Sequence, residues 1–266
     1  MAGKWDALVS DNYEYVLPLP FRKKYGIYYV YQPAFTAQLG VFGKQLSKEI
    51  VAAFIKAIPA RFRLLEVNLN AGNDLYDDPS QSVTRFNFVL DCYKRYDEIR
   101  SGFRENILRN IKKATTYGLS YHKDIQLQEV FELSKQTMLS KTNLSEKDYE
   151  HFERLIKKMT PDGAVEIVGV RDKNLQLIAS AVFLFSHQRA YYVMVGNHPN
   201  GKTLGASHFL ISSFIEAHAG ENLLLDFEGS DIPSLAFFYS SFGAIKETYP
   251  ALRIYRLPWW ARIIKK

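Results

Sequence analysis

At 266 residues, 47% hydrophobic and 23% charged, the chain has the make-up of a globular protein with one large domain or two smaller ones. Its single cysteine, Cys92, excludes an internal disulfide and a cysteine-based metal cluster. No apolar run approaches the roughly 20 residues that cross a bilayer, and the net charge of +6 with a pI of about 9.1 favours anionic partners.

The N-terminus, Met-Ala-Gly-Lys-Trp-Asp, lacks the apolar segment of a signal peptide, so a cytoplasmic protein is expected. Tyr13 to Leu19, Tyr25 to Gln32 and Leu39 to Phe42 are short Tyr- and Val-rich runs punctuated by Pro and Gly, and they read as strands. Ser47 is placed to cap a helix running to Ile58, with Ile50, Val51, Phe54 and Ile58 on one face. Leu64 to Leu69 and Thr84 to Leu90 read as strands, separated by the turn-rich stretch Ala71 to Ser80.

A long helix is expected from Asp97 to Tyr117, because Ile99, Phe103, Ile107, Ile111 and Ala114 recur at helical spacing, and Gly118 ends it. Its basic residues Arg104, Arg109, Lys112 and Lys113 fall off the apolar stripe; they suit either an anionic partner or a solvated face. Helical periodicity returns over Leu127 to Leu139. Ser145 with Asp148 resembles a capping box opening a helix through Met159.

The last third predicts strands at Val165 to Arg171, Leu175 to Phe185 and Ala190 to Gly196, joined by turns at Asp172 to Asn174 and Ser186 to Gln188. A polar loop, Asn197 to Thr203, leads into a helix from Leu204 to Ala219, closed by Gly220. Then comes LLLDFEGSDIPSLAFFYSSFGA, Leu223 to Ala244. An apolar strand ends at Asp226 and Glu228, and a short helical stretch carries Tyr239 towards Gly243. In open sheets, ligands bind beyond the carboxyl ends of strands. By pleat alternation Asp226 and Glu228 would share a face, with Phe227 opposite. The tail Leu257 to Lys266, with Trp259, Trp260 and several basic residues, suits an interfacial position or docking on the domain.

Ala236-Phe-Phe-Tyr239-Ser-Ser-Phe242-Gly243 resembles the last βα unit of the GNAT acyltransferases, whose pattern there is Ala, then Tyr-x-x-x-Gly-Phe; Ala244 stands where that family has an aromatic. Phe238, Phe242 and Gly243 also match the Phe-Lys-x-x-Phe-Gly of its FemAB branch, with Tyr239 in place of Lys. Arg104 to Ala114 followed by Gly118-Leu119 is similar to the basic helix of that branch. Leu17-Pro-Leu-Pro20 and Pro33 to Gly40 are similar to the start of its N-terminal half.

The resemblance implies an α/β (α+β) fold: a GNAT-like mixed, largely antiparallel sheet flanked by helices. It also implies two GNAT-like halves, a truncated one over 1–95 and a second over 96–266 that carries the site. It implies acetyl-CoA or another acyl-CoA as co-substrate and no metal. The donor pyrophosphate would lie at a helix N-terminus, on Gly201, Lys202, Thr203, Gly205, Ala206 and Ser207. Backbone groups of Val193 to Val195 would polarise the thioester carbonyl. Tyr239 would be the general acid for the leaving thiolate, with Glu228 or Asp226 as general base for the attacking ammonium. Each residue also has a plain reading: a polar loop before a helix, a tyrosine packed on the sheet, a carboxylate capping a helix. Three functions follow from this. The first is transfer of an acyl group from acyl-CoA to a small-molecule or peptide amine. The second is aminoacyl-tRNA-dependent peptidyl transfer, although the helical hairpin that many such enzymes carry has no counterpart here. The third is a binding protein on a degenerate fold.

Overall fold

The structure is a computed structural model that describes residues 1–257 except 75, 77, 139–143 and 230; the side chains of 11, 137, 138 and 202 fall outside the description as well. The Trp259-Trp260 tail, Leu139 and the Lys202 side chain therefore lie outside the described residues. The chain packs as two units, Met1–Phe86 with Glu247–Lys266, and Asn87–Lys246. This division falls at Phe86/Asn87, whereas the two sequence halves are expected to meet near Tyr96. Among the described residues, no helix is long and apolar enough to cross a membrane.

In the first unit, strands β1 (Trp5–Val9), β2 (Tyr15–Lys24), β3 (Ile27–Tyr31) and β4 (Phe42–Gly43) precede helix α1 (Lys48–Ala57) and strand β5 (Phe62–Asn68). Ser47 caps α1 as expected, its side chain accepting the Ile50 N–H at 3.3 Å. The sheet order is β1-β2-β3-β5, then the C-terminal strand β12 (Ile245–Tyr255), with β4 paired to β2. Only β3 and β5 run parallel, and α1 lies in their crossover. Pro18 and Pro20 are tolerated inside β2 because β1 pairs with residues 16–20 and β3 only with residues 21–24, so both prolines sit where one edge is open. Val51, Ile55 and Ile58 of the α1 segment pack with Leu17, Phe62 and Leu65 into the core.

Strand β6 (Ser82–Asp91) leads into the second unit. There follow α2 (Tyr96–Ser101), α3 (Glu105–Thr116), β7 (Ser120–His122), α4 (Leu127–Met138), α5 (Glu146–Met159), β8 (Val165–Arg171), β9 (Leu177–Ser186) and β10 (Arg189–Asn197). Then come α6 (Pro199–Leu204), α7 (Ala206–His218), β11 (Leu224–Asp226) and α8 (Pro233–Ser240). The order is β6-β11-β10-β9-β8-β7, antiparallel except for β10 with β11. The mixed, mostly antiparallel sheet flanked by helices is the architecture expected. Phe183 on β9 stacks on Phe214 of α7 with ring centroids 3.7 Å apart, joining sheet to helix. The Ser145–Asp148 capping box is formed, with the Ser145 N–H donating to Asp148 Oδ2 at 2.8 Å.

Several elements depart from the sequence reading. The single helix expected over Asp97 to Tyr117 is two, because the chain turns at Gly102 and extends at Arg104, whose N–H donates to the Ser241 carbonyl at 2.8 Å. The turn drives Phe103 into the core edge-on to Phe242, 5.3 Å between centroids, so the apolar period survives a broken helix. The polar loop at Asn197 to Thr203 is largely α6, and the next helix begins at Ala206 rather than Leu204. Strands β1, β7 and β12 carry no clean alternation and are not anticipated.

One buried amide fixes the loop before α1. Asn73 accepts the Val41 N–H at 2.7 Å and donates to the Val41 carbonyl at 2.9 Å, fully buried. Asn73→Ala is expected to lower the unfolding free energy by about 2 kcal/mol, since it strands a buried donor; urea denaturation measures it, and an unchanged midpoint would remove Asn73 from this role.

Candidate active site

Strands β10 and β11 stay together for only three residue pairs, Arg189↔Leu224, Ala190↔Leu225 and Tyr191↔Asp226. Beyond them β11 stops, while β10 runs on to Asn197, paired with β9 alone. From Tyr192 to Asn197 one edge of β10 thus faces no strand among the described residues, and its main-chain groups on that side are open to a ligand. The β9 register slips between Tyr192 and Met194, which makes Val193 the extra residue of a bulge. The gap between the parting strands is a cleft at the carboxyl end of β11.

Asp226, the last residue of β11, is 2% exposed. It accepts Asn87 Nδ2 at 2.9 Å, Arg189 Nη1 at 2.7 Å and the Glu228 N–H at 2.7 Å. Burial pushes its pKa up, and these donors oppose that shift. Both carboxylate oxygens are occupied, so Asp226 is built to hold β6, β10 and the turn after β11 together rather than to take a proton from substrate. Glu228 is different. Its backbone turns into the left-handed region at φ 59, uncommon for a glutamate, so the pleat expected to carry Asp226 and Glu228 on one face ends before Glu228. Its carboxyl makes no hydrogen bond to a described residue. Burial, then the charge of Asp226, push its pKa up to about 8.

Tyr239 of α8 is 8% exposed and stacks on Phe227, 4.6 Å between centroids and 19° between planes. Burial, then Glu228, push its phenol up to about 12. Tyr192, beside the bulge, is raised further still by burial and by Tyr239. Glu228, Tyr239 and Tyr192 therefore lie within electrostatic reach in series. His208 on α7 packs edge-on to Phe238 at 5.0 Å, and burial lowers its pKa to about 4, leaving a neutral imidazole.

The candidate donor residues have structural reasons of their own. At Gly201 a Cβ would lie 2.6 Å from the Ile178 carbonyl oxygen. At Gly205, φ +75, it would lie 2.5 Å from that of Asn110. Both glycines let helices approach protein backbone. Ala206 is fully buried in the core, and Ser207 donates to Asn197 Oδ1 at 2.5 Å. Thr203 is exposed; Val193 and Val195 are half-buried on the open edge of β10. Arg104, Arg109, Lys112 and Lys113 are exposed, with Arg104 4.2 to 5 Å-class stacking limited to Phe237, 5.0 Å from guanidinium carbon to ring centroid. Asn87, Arg189 and Tyr192 escape the sequence reading, because each meets the site only through strand neighbours far away in the chain.

Two substitutions separate the paired carboxylates. Asp226→Ala strands Arg189 and Asn87, and a loss of about 3 kcal/mol in urea is expected. Glu228→Gln should stabilise. The Glu228 pKa rises from 4.5 to about 8 on folding, so between these values the folded chain holds a proton that the unfolded chain has lost. Wild-type stability therefore falls across that window by up to about 1.4 kcal/mol per pH unit. The advantage of Glu228→Gln should grow from pH 4.5 to 8 and then level off. A pH-independent difference in melting temperature would show that Glu228 ionises normally.

Residues 101–231 match the family model of the acetyltransferase (GNAT) domain. No curated protein matches the chain in sequence. The fold is similar to that of FemX, at 14% identity over 98% of this chain and 91% of that one, with a TM-score of 0.64. It is also similar to a conserved protein of unknown function from Bacteroides thetaiotaomicron, at 12% identity over 94% and 86%, TM-score 0.59. L-PGS from Bacillus licheniformis is 12% identical over 98% and 88%, TM-score 0.57. Residues 101–231 belong to the acetyltransferase (GNAT) domain family, and the chain carries the FemAB-like form of the GNAT fold.

Proposed function

We propose that the cleft beside β10 transfers an acyl group from an activated carboxyl donor, acyl-CoA in the first instance, to an amine. The observation that supports it best is the parting of β10 from β11 after three residue pairs, with a bulge on the exposed edge and Glu228 and Tyr239 at the other wall. In this reading the donor carbonyl lies along β10, where main-chain N–H groups around Val193 to Val195 hold the developing oxyanion. Ionised Glu228 takes a proton from the attacking ammonium, and the freed amine forms the new bond to the carbonyl carbon. Collapse of the tetrahedral intermediate breaks the bond to the thiolate, and Tyr239 donates its proton to that sulfur. A phenol with a pKa near 12 keeps its proton throughout the neutral range.

A second reading replaces the donor by aminoacyl-tRNA. The conformation after β10 favours it: α6 occupies much of the expected phosphate loop, and Gly201 and Gly205 are accounted for by Ile178 and Asn110. The FemAB-like resemblance points the same way, and the chemistry of Glu228 and Tyr239 would be shared.

Thermal unfolding with acetyl-CoA, longer acyl-CoAs and free CoA tests the donor. At a hundred times its dissociation constant a ligand adds about 2.7 kcal/mol. No shift at millimolar CoA ester would overturn the first reading and leave aminoacyl-tRNA, assayed by loss of the aminoacyl group. With the donor known, Tyr239→Phe should keep the stacking on Phe227 yet lower turnover by about a hundredfold. Glu228→Gln should abolish the rise in turnover through pH 8. Turnover in Tyr239→Phe equal to wild type would make Tyr239 a packing residue.

A further inference from the structure

The first unit holds a cleft of about 400 Å³ lined by Gly26, Ile27, Tyr28, Arg61, Arg63 and Arg256. Its construction is unusual in three respects. First, β3 and β5 pair Tyr28 with Phe62 but Tyr29 with Leu64, so Arg63 is the extra residue of a bulge in a parallel pair. Bulges in such pairs are rare, and they re-aim side chains. Second, the β5–β12 ladder brings Arg256 opposite Arg63: Tyr255 pairs with Leu64, and the Arg256 N–H donates to the Arg63 carbonyl at 2.7 Å. Like charges directly opposite in a sheet destabilise it, yet the Arg63 guanidinium has no hydrogen bond or ion pair to a described residue. Third, further cations stand nearby. Arg61 joins the same wall, paired with Asp6, and Lys23 lies 4.9 Å from the centre of the Tyr28 ring.

We propose that this cleft binds a phosphate group, held by Arg63 and Arg256 with Arg61 at its edge. Guanidinium forks match phosphate oxygens in geometry and charge. A bound dianion would also relieve the repulsion that the bulge and the ladder build between the two arginines. The volume accommodates a small phosphorylated compound or a headgroup. This site involves the first unit alone and stands whether or not the second unit transfers an acyl group.

Calorimetric titration of the full chain with inorganic pyrophosphate at low ionic strength tests a free phosphate compound. Co-sedimentation with phosphatidylcholine vesicles, with and without phosphatidylglycerol, tests a headgroup. Saturable binding is expected, weakened about tenfold or more by Arg63→Gln and by Arg256→Gln. Lys56→Gln removes the same charge from the exposed side of α1 and should leave binding intact. Vesicle binding with this pattern, without pyrophosphate binding, assigns the cleft to a lipid phosphate. No binding in either arm, or equal losses in Lys56→Gln and the arginine variants, overturns the proposal. Arg63→Gln should melt at or above the wild-type temperature; if it does not fold, Arg256→Gln carries the test.

Discussion

The second unit depends on one buried carboxylate. Asp226 ends β11, and its oxygens accept from Asn87 on β6, from Arg189 on β10 and from the main chain of Glu228. Burying a charge costs several kcal/mol unless geometry and hydrogen bonds compensate, and here they do so from three directions. The ladder between β10 and β11 is only three pairs long. Such a short parallel pair would fray if left to its main-chain bonds. The Arg189–Asp226 pair ties the first residue of β10 to the last residue of β11 and closes the strands at that end. They can therefore part abruptly at the other end, which is what opens the cleft.

The same anchor sets the electrostatics beyond it. Asp226 satisfies its own charge with donors, but its field still reaches Glu228, which has none among the described residues. Burial and that field together hold Glu228 protonated to about pH 8. Once ionised, Glu228 makes Tyr239 harder to deprotonate, and Tyr239 acts likewise on Tyr192. The series keeps acid and base roles apart: the group with the lowest pKa beyond Asp226 is a carboxylate able to accept a proton near neutral pH, while the phenols remain donors. A left-handed glutamate backbone is a conformation of order 1–3 kcal/mol above the ordinary ones. It persists because the Glu228 N–H is held by Asp226 and Phe227 is held against Tyr239.

Much of this architecture was legible in the residues, and the failures have physical causes. Strands β8, β9 and β10 carry apolar runs bounded by turn residues, and Ser47 and Ser145 mark helix starts by chemistry local to a few residues. Asp226, Glu228 and Tyr239 were legible as a group, because a strand end followed by a helix puts them within a short stretch of chain. Their division of labour was not legible. It depends on Asn87, 139 positions away in sequence from Asp226, and on Arg189. The break at Gly102 was hidden because Phe103 remains apolar and buried on either side of the interruption. Pleat alternation failed at Glu228 for a related reason: the rule holds only while the backbone stays extended, and sequence alone does not show that β11 stops at Asp226.

The glycines show how one sequence signal can have two causes. Gly201 and Gly205 were read as positions where a ligand approaches the main chain. In the fold, the approaching groups are the carbonyls of Ile178 and Asn110. A close approach to backbone requires the absence of Cβ whether the visitor is a phosphate or another strand or helix, so the residue type cannot separate them. The open edge of β10 is a firmer indicator. An edge strand that runs several residues past its neighbour, bulged and facing a cleft, is a liability for a protein unless something pairs with it. Acyl donors present the carbonyl and amide groups that such an edge can bind, and that makes β10, more than the glycines, the element that argues for a donor in this cleft.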